Sequence, residues 1–75
     1  MSVSDFVIHI DETLNEFDKN DAEEAVTDCT GVISARISTY QPHLMLVAYD
    51  PEQGRPAHTL YALQAIGLHG QMIGL

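Results

Sequence analysis

The apolar residues of this chain change their spacing in a fixed order, and that order constrains the fold more than any single motif does. From Asp5 to Asp11, Phe6, Ile8 and Ile10 alternate with Val7, His9 and Asp11, the period of a strand with one face in a core. Ala22, Ala25, Val26 and Cys29 then recur at helical spacing, with Asp21, Glu23, Glu24 and Asp28 on the other face, up to a stop at Gly31. Thr13-x-x-Glu16 and Asn20-x-x-Glu23 both read as capping boxes, so the helix begins between Thr13 and Asn20. From Val32 to Tyr40 the period returns to two: Ala35 and Ile37 share one side, Ser34, Arg36 and Ser38 the other, and Val32 falls out of register.

Gln41-Pro42 marks a turn, and the run from His43 to Tyr49 that follows is apolar on both faces until Asp50-Pro51. Pro56, Leu60, Leu63, Ile66 and a left-handed stop at Gly67 describe a second short helix, and His69 to Leu75 a final strand. The resulting order is strand, helix, strand, strand, helix, strand. Two split β-α-β halves of this kind form an antiparallel α+β sandwich with both helices on one face of a four-stranded sheet. With 75 residues there is room for one core only, so the chain is a single domain from residue 1 to 75. A core of that size stands near the lower limit of self-sufficiency, and added stability from a metal, a partner or a second copy is expected.

Charge excludes several function classes. Lys19, Arg36 and Arg55 stand against eleven carboxylates, and a net charge of -8 repels nucleic-acid phosphate and anionic membrane surfaces alike. No apolar run approaches the roughly 20 residues that span a bilayer, and the first residues show no basic segment leading into an apolar one, so a soluble, cytoplasmic protein is expected. The lone Cys29, among apolar neighbours, reads as a packed thiol rather than a nucleophile. Carboxylates abound from Asp11 to Asp28, but acid–base catalysis needs an enclosing pocket that one helix layer on one small sheet rarely supplies. No residue is assigned a catalytic role, and the chain is not expected to be an enzyme.

Four features carry a resemblance: Gly31-Val32 between helix and strand, Val47-Ala48-Tyr49-Asp50-Pro51 at the end of the third strand, Pro56 opening the second helix, and Ala65-Ile66-Gly67 closing it. Together they make the chain, from Asp5 to Leu75, resemble the heavy-metal-associated domain family, the ferredoxin-like modules of metallochaperones and metal-pumping ATPases. The resemblance implies a ferredoxin-like βαββαβ fold and metal carriage. It also implies that the positions of the family's Cys-x-x-Cys ligands fall at Asn15 and Asp18, and neither is a thiolate. Soft Cu(I) is held by sulfur, so the family's copper chemistry does not transfer to this degenerate member.

Other donors remain. In this topology the end of strand one, the turn between strands two and three and the loop entering strand four share one end, which gathers Asp11, Glu12, Asp18, His43 and His69. Imidazoles and carboxylates suit a divalent ion such as Zn(II), held as by a carrier or sensor. The competing reading leaves these charges solvated. A second feature is the sheet face without helices: with Met45 and Val47 facing inward, Leu44, Leu46 and Ala48 lie outward beside Val7, His9 and Ile73. Such an apolar patch marks a homo-oligomer or a protein partner docked on the sheet, the alternative to a metal function. Nine of the eleven carboxylates fall between Asp5 and Asp28, an acidic surface able to steer a basic partner. His58 is expected to be exposed, and Tyr49 and Tyr61 to cover the core edge.

Overall fold

The computed structural model describes residues 2–73. Its elements follow the expected order: β1 (Ser4–Ile10), α1 (Glu16–Thr27), β2 (Val32–Ile37), β3 (Leu44–Tyr49), α2 (Pro56–Ala65) and β4 (Gly70–Ile73). The strands form one antiparallel sheet in the order β2-β3-β1-β4. The apolar runs thus occupy the two central strands, paired along both edges.

Register fixes which face each side chain takes. Phe6 pairs with Val47 and Ile8 with Met45, and these four, together with Ile10, Ala35, Ala22, Val26 and Leu63, are the buried core. Burying each of the larger aliphatic or aromatic side chains contributes about 1.5–3 kcal/mol relative to leaving it wet. Tyr49 closes one edge of this core, its ring meeting Phe6 edge-on at 5.2 Å between centroids. Tyr61 does not share that role: it is 66% exposed, because α2 buries Thr59 and Leu63 and turns Tyr61 to solvent. Ile66, expected inward, is also exposed, since the helix ends one residue earlier and Ile66 is its C-cap.

Local chemistry sets the element ends. Asn15 caps α1, its Oδ1 accepting the Asp18 N–H at 2.8 Å, so neither capping box read from the sequence starts the helix. The displaced Val32 marks a register shift between Val32 and Ser34 in the β2–β3 ladder. β2 stops at Ile37, short of Tyr40, because the Ser38 hydroxyl accepts the N–H groups of Tyr40 and Gln41 and turns the chain. On the outer edge of β2, the Ile37 N–H donates to a Glu23 carboxylate oxygen at 2.8 Å. Gly67 takes the left-handed conformation expected of a helix stop, with φ +83°. The final strand begins at Gly70, and Gly74 and Leu75 of the expected strand lie outside the described residues.

At the opposite end from the histidine loops, Gly31 (φ +85°) lies against Gly54 so closely that a Cβ on Gly31 would stand 2.4 Å from the Gly54 nitrogen. Cys29 is half-buried beneath α2, its Sγ 3.7 Å from the His58 carbonyl oxygen. Burial, and then the nearby Asp28 charge, push this thiol above its usual range, which fits a packed rather than reactive cysteine. His58 is exposed, as expected.

Candidate functional site

Two regions hold the chemistry-bearing residues. The first is the C-terminal end of β1. Here the Ile10 N–H donates to the His43 carbonyl at 2.7 Å, and the next residue, Asp11, donates its N–H to the His69 carbonyl at 2.9 Å. His43 and His69 therefore flank β1 on opposite sides at the same end of the sheet.

Each imidazole has its own anchor. Glu12 clasps His69 twice, accepting the backbone N–H at 2.8 Å and meeting ring Nδ1 at 2.5 Å. The His69 backbone N–H, and then its side chain, hold the Glu12 carboxyl below its ordinary pKa, and the same carboxylate raises that of His69. The clasp joins the β1–α1 loop to the α2–β4 loop at the surface. His43 points Nδ1 at the Ile10 carbonyl oxygen, 2.8 Å away. Its ring stacks on that of His9, with centroids 5.7 Å apart and planes 18° from parallel. His9 Nδ1 in turn lies 3.2 Å from an Asp11 carboxylate oxygen.

The structure thus brings Glu12 to His69, and His9 to both Asp11 and His43. Asp18 stands apart in the first turn of α1, exposed, with its backbone N–H held by Asn15. Among the described residues no three His, Cys, Asp or Glu side chains converge as a ready metal cage. The thiolate positions fit Cu(I) no better than the sequence implies: Asn15 Oδ1 is engaged in capping, and Asp18 offers only hard oxygen. The His9–His43 contact is the element that the sequence did not yield. Parity assigned His9 to the open face, but its meeting with His43 depends on the β1–β3 register, which pairs His9 with Leu44.

The second region is the face of the sheet opposite the helices. Val7, flanked by its cross-strand partners Leu46 and Ile73, forms its centre, with Leu44 and Ala48 on either side of Leu46 along β3. Leu46 is 53% and Ile73 40% exposed. Within the described strands, parity places two ionised side chains on this face, Asp5 opposite Ala48 and Arg36 opposite Leu46, with Asp11 beside His9 at its rim, so it carries little net charge in a chain of net charge -8.

Comparison with solved structures decides the fold family. Oxidized MerP from Ralstonia metallidurans matches with a TM-score of 0.87 over 97% of this chain and all of its own, at 10% identity. The fold is that of heavy-metal-associated domains. Two further matches have the same fold: the apo copper chaperone of Enterococcus hirae (TM-score 0.80, 16% identity, 91% of this chain and 98% of that one), and the N-terminal domain of the zinc(II) ATPase ZiaA, also apo (0.78, 17%, 99% and 73%). No protein-family model and no curated protein matches the sequence. The heavy-metal-associated fold is therefore shared at identities where sequence comparison alone finds nothing, and these likenesses speak to architecture. No helix among the described residues is long and apolar enough to cross a membrane.

Proposed function

We propose that this domain handles a divalent metal ion, with Zn(II) as the reference ion, in the manner of a small carrier or sensor. The donors are the imidazoles and carboxylates at the end of β1, Asp11, Glu12, His43 and His69, while Asp18, expected from the sequence to join them, stands apart in the first turn of α1. The supporting observation is that consecutive residues of β1, Ile10 and Asp11, hold the backbones of His43 and His69 through their N–H groups. Nitrogen and oxygen donors therefore gather at the strand end that leads into α1, in a fold shared with a copper chaperone and a zinc(II) ATPase domain. Such donors favour borderline ions over Cu(I), so the reading is for a domain that kept the scaffold and changed its cargo.

Titration of metal-free protein with Zn(II), Ni(II), Co(II) and Cu(II) at neutral pH tests this. A ligand present at 100 times its Kd adds about 2.7 kcal/mol to stability, which for a domain of this size raises Tm on the order of 10 °C or more. That rise should fade below about pH 6 as the imidazoles protonate. No metal-dependent change in Tm refutes the reading.

The open face favours a second reading, a protein-interaction or assembly module. An apolar patch of little net charge on a strongly acidic domain is where a second copy or a protein partner meets least repulsion. Light scattering at high micromolar concentration, with and without Leu46→Asp, tests it. A strict monomer whose stability is indifferent to Leu46 refutes docking of a second copy on this face.

A further inference from the structure

We infer that the open sheet face is a two-fold homodimer interface, in which Asp5 of each copy pairs with the partner's Arg36. This rests on the assembly reading above and names its occupant and its geometry.

The argument begins with charge. Asp5 and Arg36 are both exposed, and among the described residues neither forms an ion pair, although eleven carboxylates outnumber three Lys and Arg residues. They stand on the same apolar face, on either side of β3: Asp5 opposite Ala48, Arg36 opposite Leu46. With strands about 4.8 Å apart and residues about 3.4 Å apart along each, their backbones are roughly 12 Å apart. A face of one sign would call for a partner of the other. One anion and one cation set about an aliphatic centre instead match a second copy of the same face, because an isologous contact presents each residue to its complement twice.

Register makes the match more than electrostatic. A two-fold axis lying in the interface, perpendicular to the line from Asp5 to Arg36 at its midpoint, sets Asp5 over the partner's Arg36 at two equivalent places. On the same grid of paired strands it brings Leu44 over the partner's Ile73, and Leu46 with Val7 over the same pair in the partner. The partner's Leu46 then meets the shallow depression lined by Asp5, Val7, Leu46 and Ala48. One operation thus satisfies both charge pairs and covers the exposed Leu46 and Ile73. The face is small, four strands by six residues or about 20 Å on a side, against about 800 Å2 per partner in standard interfaces. The dimer is therefore weak and fills at high micromolar concentration.

The test is sedimentation equilibrium of the full chain from low micromolar to millimolar concentration, with thermal melts to confirm that each variant folds. Wild type is expected to pass from monomer to dimer. Asp5→Arg and Arg36→Asp should each weaken self-association about tenfold or more, since each sets like charges together at both places. Mixed in equal amounts, the two variants should associate again, as should a chain carrying both changes, because opposite charges then meet across the axis. Self-association that is lost in Leu46→Asp but indifferent to both charge reversals overturns the inference and leaves the assembly reading standing. A dimer that persists in Leu46→Asp, or a wild type that stays monomeric at millimolar concentration, overturns both the pairing and docking of a second copy on this face.

Discussion

The contact of Gly31 with Gly54 gives a prediction whose size can be worked out. Gly31 and Gly67 share the same left-handed backbone, φ +85° and +83°, but differ in surroundings. A Cβ at Gly67 meets nothing within 4 Å, whereas one at Gly31 would stand 2.4, 2.6 and 2.9 Å from Gly54 N, Gly54 Cα and Gln53 C, all backbone atoms. Gly67→Ala therefore carries only the left-handed penalty of an L-residue, about 1–2 kcal/mol. Gly31→Ala adds displacement of the β3–α2 loop, and overpacking of that kind costs a further 1–3 kcal/mol or so, for about 2–5 in all. For 75 residues at roughly 0.05–0.15 kcal/mol each, total stability is about 4–11 kcal/mol, so the larger figure approaches unfolding. At about 4–8 °C per kcal/mol, thermal melts and urea midpoints separate the two variants readily. If Gly31→Ala costs no more than Gly67→Ala, the two glycine backbones are not pressed together as described.

Asn15→Ala removes the α1 cap and should cost about 1 kcal/mol by urea denaturation, an effect that Asn15→Asp largely spares. The Glu12–His69 clasp sets a pH window in metal-free protein. The raised His69 value means its contribution is full below the ordinary 6.5 and lost as pH climbs through the raised value; the lowered Glu12 value means its share is full above the ordinary 4.5 and lost as pH falls through the lowered one. The urea midpoints of wild type and Glu12→Gln should differ most between these limits, and a constant gap across them refutes the assignment. Because both groups are exposed, that gap should also shrink as salt is added. Leu46→Asp should abolish concentration-dependent association by sedimentation without lowering the monomer's Tm by more than about 1 kcal/mol equivalent, since Leu46 is not in the core.

What the sequence made legible was whatever follows from side-chain parity within one element. Phe6, Ile8 and Ile10 inward, Leu44, Leu46 and Ala48 outward, and the irregularity at Val32 all needed nothing beyond a period of two. Boundaries set by side chains bonding to backbone were harder. Two capping boxes competed with Asn15 at the start of α1, and Ser38 ended β2 three residues before Tyr40 by capturing nearby N–H groups. At the candidate site, topology alone placed His43 and His69 at one end. Cross-strand register and loop conformation were needed to see Glu12 bound to His69 and His9 stacked on His43. Tyr61 faced outward because a short amphipathic helix leaves one residue per turn ambiguous, and Thr59 took the inward place with its hydroxyl bonded to the Pro56 carbonyl.

The Glu23 carboxylate that accepts the Ile37 N–H covers a backbone donor on the outer edge of β2. A free amide along a border strand is an invitation to ribbon-like growth, one molecule zipping onto the next. With that donor occupied by a charged group reaching over from α1, an arriving strand must first evict an anion and then lie beside it. Edge-to-edge pairing is thereby discouraged at this border, while the broad side of the sheet is left untouched by the contact.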